Sequence, residues 1–381
     1  MQKKHLLFLT MAAVFGFCPL LLGGNPDSQP EVRVAIAQDV GSLGIRISGA
    51  YEVVDPADQK VLSRGRSLKV TATVSQTAIL LGKEAFNQRS VFIKTGDSMI
   101  LVDDRAFAGG IQLSRKDNGK LLVVNRIGLE DYVRGILYHE VSHYWPMEVL
   151  KAQAIVCRTY AVYQIQENRR KEYDVTSDTY SQVYGGRTSE RYRTTKAVDQ
   201  TRGQVLMYQD RVLPAYFHAV CGGRTEDASV LWNTELPPLR GVACPYCKEA
   251  PHYQWHAVLS LSEIAEKLQA AGYPAYAHIK DIRMLQRDPS GRLVNLKIIT
   301  DTKETQIPTK DFRNAVGSNV IRSANFTVRL ADQDAVFEGF GWGHGVGMCQ
   351  WGAYFMAKQG STYRQILLFY YPKTDVKALG F

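Results

Sequence analysis

The residues best suited to chemistry sit in "YHEVSHYWP", residues 138–146. His139, Glu140 and His143 spell H-E-x-x-H, the pattern in which two histidines one helical turn apart bind zinc and the glutamate activates a water for peptide hydrolysis. That reading needs both histidines on one unbroken helix and a third ligand further on, for example Glu167. Pro146 stands three residues beyond His143, where the helix should still be running. The extended form H-E-x-x-H-x-x-G-x-x-H also fails, because Pro146 and Val149 occupy its Gly and third His positions. In the competing reading Glu140 is a lone acid at a bend between two helices. A second constellation lies in "FHAVC" and "ACPYC". His218, Cys221, Cys244 and Cys247 supply four soft donors in two tight pairs, as structural tetrahedral zinc requires, with His252 as a spare. A disulfide and a redox C-P-Y-C compete with zinc. The redox form wants the motif to open a helix, and "CPYCKEAPHYQW" does not continue as one.

The elements that must position these groups follow from periodicity. From Glu31 to about Arg115, short alternating runs such as "VRVAIAQ", "SLKVTATV" and "SVFIKT", punctuated by Gly, Pro and Asp, predict antiparallel strands. After "GKLLVVNRIG" the period changes. Leu129, Tyr132, Val133, Ile136 and Leu137 fall on one helical face, and Met147, Leu150, Ala154, Cys157 and Ala161 on another. Pro146 suits the first turn of the second helix, so 139–146 form the corner of a helical hairpin. Ser260 and Glu263 predict a capping box before a surface helix that stops at Gly272, and "DPSG" at 288–291 predicts a hairpin. "GFGWGHGVGMCQWGAYFMAKQG" moves from a glycine-rich loop into a helix ending at Gly360.

With 381 residues, 45% apolar and 22% charged, the chain has the composition of a soluble globular protein that buries a large core. At the N-terminus Lys3 and Lys4 precede an uncharged apolar run ending in small residues, which predicts a secretory leader over 1–24, removed or kept as a membrane tether. The rest is expected outside the cytoplasmic membrane, in periplasm or wall. Loss of Lys3 and Lys4 lowers the formal charge from +9 to +7, spread with no basic run, so nucleic acid is not an expected partner.

The blocks "VVNRIGLEDYVRGILYHEVSHYWPMEVLKAQAIVCRTYAV", "SDTYSQVYGG", "TRGQVLMY", "CGGRTE", "IRSANF" and "GFGWGHGVGMCQWGAYFMAKQGSTYRQILLFYYP" occur in an order that resembles the stage II sporulation protein D and amidase-enhancer family. The resemblance implies lytic transglycosylase chemistry on peptidoglycan glycan strands stripped of stem peptides, with the catalytic acid just after the first helix, here Glu140. That glutamate usually has a small residue before it and a methionine after it. His139 and Val141 stand there instead, so H-E-x-x-H reads as a local departure. A glycosidase needs two carboxyl groups, whereas a lytic transglycosylase cycles one proton on one glutamate. Its pKa must be raised by burial, for which Tyr144 and Trp145 are the expected cover, and a charged His139 or His143 beside it would oppose that.

On this reading Arg158 is a candidate to bind a sugar or lactyl carboxylate, with a salt bridge to Glu148 or Asp178 as its structural rival. Gln182 and Tyr184 in "SQVYGG" line a glycan groove or fill a turn. Gly341, Gly343, Gly345 and Gly347 let the backbone approach a ligand, with His344 or Gln350 hydrogen-bonding the sugar; the alternative is a tight loop with His344 as a cap. The family usually has serine at Cys349, of which no thiol role is expected. The expectation is an α+β exported wall protein, with a β-rich region over 30–115, a peptidoglycan-acting domain over 116–381, a cleft between lobes, structural zinc and none needed for catalysis. The resemblance also implies a non-catalytic alternative, a glycan-binding enhancer of an N-acetylmuramoyl-L-alanine amidase. The zinc protease stands third.

Overall fold

A computed structural model describes residues 29–379 except Asp97, Thr179, Tyr180, Ala275 and Ala277; the predicted leader lies outside the described residues. The alternating segments form two sheets. In the seven-stranded sheet the order is Val175–Thr176, Glu31–Val40, Leu121–Gly128, Gly110–Arg115, Ser90–Thr95, Tyr51–Val54 and Val61–Gly65. Its pairs are antiparallel except where Glu31–Val40 meets Val175–Thr176. The second sheet has six strands, all within residues 42–107. Val32, Val34, Ile45, Ile47, Ile93 and Ile111 turn inward between them, as period-2 alternation requires. The sheet does not end near residue 115, because Leu121–Gly128 pairs with both the first strand and Gly110–Arg115. The β-rich region therefore continues to Gly128 and shares one core with the helices that follow.

Helix α1, Leu129–Glu140, leaves this strand directly and buries Leu129, Tyr132, Val133, Ile136 and Leu137, the face that the periodicity predicts. It ends where Val141 turns extended, at φ −142° and ψ 148°. Helix α2, Met147–Glu167, begins after Pro146, which sits at the N-cap, one place before the expected first turn. α2 is buried at nearly every position from Val149 to Val162 and forms the central post of the molecule. Helix α3 is Tyr192–Gln200 and α4 is Ala228–Trp232.

A separate core lies within residues 255–337, built from α5 (Leu261–Ala270), α6 (Thr309–Val316) and two three-stranded sheets. Ser260 caps α5 by accepting from Glu263 N, and the 288–291 turn joins antiparallel strands Ile279–Met284 and Asn295–Thr300. After this module α7 (Gln350–Lys358) and α8 (Tyr363–Tyr370) pack with α2 in a third core. The fold is α+β. Among the described residues no helix is long and apolar enough to cross a membrane.

One buried ion pair joins α1 to α2. Arg158 donates from Nε to Glu130 Oε1 at 2.9 Å and from Nη2 to Oε2 at 2.7 Å, and both side chains are excluded from solvent. The remaining valences are met by the carbonyls of Val198 and Gln204 and by Gly203 N, which donates to Glu130. A planar guanidinium satisfies this fork as a lysine would not. The expectation that Arg158 contacts substrate is corrected, because it has no exposed surface, and its partner is Glu130, not Glu148 or Asp178. Removing one member strands the other charge in the core, at a cost of about 3–5 kcal/mol. Arg158→Met should show that loss in urea unfolding, whereas a change under about 1 kcal/mol would mean the pair does not hold the helices.

Candidate active site

Glu140 is the last residue of α1, at the negative end of the helix dipole, where an anion is disfavoured. Its carboxyl accepts Val183 N at 3.3 Å. Burial pushes its pKa up from 4.5 to about 7, opposed only by that N–H. The enclosing groups are not those expected. Tyr144 is 81% exposed, and Trp145 packs against Trp351 and Tyr354 with ring centroids 4.9 and 5.2 Å away. Glu140 is half-buried, and its charge adds to burial in raising the Cys157 thiol and the Tyr132 hydroxyl.

The corner between α1 and α2 is held from two sides. Gln350, at the start of α7, donates from Nε2 to Glu140 O at 3.1 Å and lies 3.4 Å from Gln153 Oε1. It thereby satisfies a helix-end carbonyl that has no intrahelical partner. Arg193 of α3 donates to His143 O and Trp145 O, each at 2.9 Å. Neither the Arg193 clamp nor the Val183 N–H has a sequence signature, since one is a surface-type residue and the other is backbone.

The zinc-protease geometry is absent. The helix stops at Glu140, so His143 lies off it, stacked beside Tyr144 at 3.9 Å, while His139 Nε2 meets Ser189 Oγ at 2.6 Å. Among the described residues, three or more metal-type donors converge only at a set of cysteines. Partial desolvation and the nearby Arg191 hold His139 below its ordinary pKa, which works against a positive charge beside Glu140.

The "SQVYGG" block is internal. Tyr184 is buried, its hydroxyl donating to Asn125 Oδ1 at 2.7 Å and its ring against Phe107 and Tyr132. Gly135 makes room for it, since a Cβ there would strike the Tyr184 ring. Gln182 is also buried, accepting the Tyr132 hydroxyl at 3.1 Å. Both expected groove contacts are corrected: these side chains join sheet to hairpin.

The glycine loop likewise folds onto the protein itself. Gly345 and Gly347 have φ of 91° and 72°, and a Cβ would collide with the Arg292 guanidinium at one and with Tyr216 O at the other. The loop packs closely on Arg292 and on residues 216–226, the latter through bridges Val220 with Trp342 and Glu226 with Val346. His344 is half-buried, accepts Val346 N at Nδ1 (3.0 Å), and faces Trp232 and Tyr216. Burial, with Arg313 and Arg292 nearby, pushes its pKa down to about 3, so it acts as a neutral strut.

The cysteine set differs from the sequence expectation in one member. Sγ atoms of Cys221, Cys244, Cys247 and Cys349 all lie within 4.8 Å of one another, buried and without a disulfide. His218 is not among them, its Nδ1 donating to Val346 O at 3.1 Å. The fourth member of the cluster is Cys349, for which the sequence predicts no thiol role. Its signal was a lone cysteine outside any paired spacing, which gave way to the nearer histidine.

A sequence model described as stage II sporulation protein matches residues 117–208, and one of a domain of unknown function (DUF8618) matches 246–347. An uncharacterized protein of Brachyspira hyodysenteriae is 35% identical, over 92% of this chain and 93% of its own. Stage II sporulation protein D of Bacillus subtilis is 31% identical over 66% of this chain and 75% of its own. The amidase enhancer of Bacillus subtilis is 28% identical over 64% of this chain, but only 40% of that protein is covered. The chain therefore belongs to the stage II sporulation protein D and amidase-enhancer family.

Proposed function

We propose that this protein is a peptidoglycan lytic transglycosylase, cutting glycan strands stripped of stem peptides, with Glu140 as its single acid and base. The supporting observation is a carboxyl whose pKa burial raises to about 7, within reach of protonation at neutral pH. Protonated Glu140 donates to the glycosidic oxygen as that oxygen leaves the anomeric carbon. The muramic acid C6 hydroxyl then closes on the same carbon, and the Glu140 carboxylate takes its proton. The product is a 1,6-anhydro ring, the acid is restored, and no water enters. Gln350 and Arg193 act as positioning residues, since they grip the backbone around Glu140 and leave the carboxyl free.

Family membership supports a cell-wall role outside the cytoplasm, and the leader expected over 1–24 would carry the chain across the cytoplasmic membrane to periplasm or wall. The relative named as an amidase enhancer makes a wall amidase the expected protein partner. The non-catalytic enhancer reading is the outcome in which glycan is bound and not cut.

Glu140→Gln keeps size and hydrogen bonding but cannot cycle a proton, so turnover on denuded glycan should fall ~10²–10⁴-fold while binding persists. His143→Ala should leave turnover near the wild type. If the wild type binds strands but releases no product, the enhancer reading replaces this one.

The proton requirement fixes the sign of the pH profile. Because the acid form of the free enzyme is needed, kcat/KM should fall tenfold per unit above a pH of about 7. A falling limb near 4.5 would contradict a buried acid.

Stability should carry the same signature. The folded carboxyl keeps a proton that the unfolded one, with its ordinary pKa of 4.5, has already lost. The wild type is therefore penalised as pH rises from 4.5 to about 7, fully so above that, by up to about 3 kcal/mol. Glu140→Gln should raise the melting temperature at pH 8 and scarcely alter it at pH 4; equal effects at both would contradict the assignment.

A further inference from the structure

The helix that carries Gln350 is rooted in four thiols that the glycan chemistry does not use. Cys221, Cys244 and Cys247 precede the 248–348 segment and Cys349 follows it, so the set meets at the base of the inserted module. We propose that these four cysteines hold one structural zinc ion, which closes the base of that module and seats Gln350 against the Glu140 corner. Only the consequence for Glu140 rests on the catalytic reading; the metal site stands on its own geometry.

Four thiolates around zinc at about 2.3 Å place their sulfurs about 3.8 Å apart. Here every Sγ is within 4.8 Å of the others, with Cys221 and Cys247 already at 3.4 Å, so an ion at the centre needs only small side-chain adjustments. Clustering alone would suit thiols packed as small apolar groups. The surroundings argue otherwise, because donors are aimed at sulfur. Cys349 Sγ accepts Cys221 N and Gly352 N, each at 3.3 Å, at the N-terminus of α7. The Tyr370 hydroxyl lies 3.1 Å from Cys244 Sγ. Buried Arg292, from within the module, donates to Cys221 O at 2.7 Å and brings a positive charge beside the set. N–H donors, a hydroxyl and a nearby cation are what orient and stabilise metal-bound thiolates.

A clip at this place also has a mechanical reason. The module has its own hydrophobic core, and its two ends must return to the same point for the segments 216–226 and 341–349 to pair. Closing a long loop is where a cross-link removes most unfolded-state entropy. Cys349 adjoins Gln350, so a fixed sulfur fixes the residue that holds Glu140 O.

The test uses the mature chain purified without chelator. Plasma mass spectrometry should find about one zinc per chain, and X-ray absorption of the wild type should find four sulfurs at about 2.3 Å. Cys349→Ala should retain less than about a tenth of that zinc, whereas His218→Ala should retain all of it. Metal-free protein, with the four thiols either free or joined in disulfides, would overturn the proposal. A shell of three sulfurs and one nitrogen, with zinc lost in His218→Ala, would overturn the ligand set. The absorption measurement needs no variant, so it decides the case even if Cys349→Ala does not fold. Zinc is read without glycan, so its absence would leave the transglycosylase reading untouched, and an inactive enzyme would leave the metal site untouched.

Discussion

The Glu130–Arg158 pair sets the angle and height of α1 against α2, and the candidate site inherits its geometry from that junction. Glu130 is in the first turn of α1 and Glu140 is its last residue, so anchoring one end of a rigid helix places the other. The pair is also connected outward, through Val198, Gly203 and Gln204, to α3 and the strand after it. α3 in turn supplies Arg193 to the corner. A charged pair with no exposure contributes little net stability but tolerates few alternative arrangements, which suits a junction that must hold one register.

Two glutamates at opposite ends of one helix therefore meet opposite fates. Glu130 is buried with a cation and a full set of donors. Glu140 is half-buried with one backbone N–H and, among the described residues, no cation, and desolvation raises its pKa to about 7. Such a contrast between carboxyl environments marks a group suited to acid chemistry. The histidines that spell a zinc motif do not disturb it, because the helix break at Val141 directs His143 elsewhere and His139 lies against Ser189.

Much of the fold was legible from local pattern. Period-2 runs gave the sheets, the 3.6-residue spacing of Leu129 to Leu137 gave the buried face of α1, and Pro146 gave the corner. What was not legible depends on long-range pairing. Arg158 finds Glu130, 28 residues away, where the sequence offered Glu148 or Asp178 as its ion-pair partner. Tyr184 and Gln182 looked like groove residues because nothing local shows that Tyr184 reaches Asn125 across the sheet. The glycines of 341–347 promised a ligand, and they receive residues 216–222 and the Arg292 guanidinium instead. Cys349 was passed over for His218 because the histidine is near Cys221 in sequence, whereas the cysteine is near it in space.

In the proposed reaction one carboxyl cuts a glycan strand without water. The most direct measurement is mass spectrometry of denuded glycan digested in water enriched in oxygen-18. Glu140 acting alone should yield 1,6-anhydro-muramic ends, lighter by one water than a reducing end and free of the label. Reducing ends carrying oxygen-18 would contradict it, since they require a water activated by a second group that Glu140 alone does not supply.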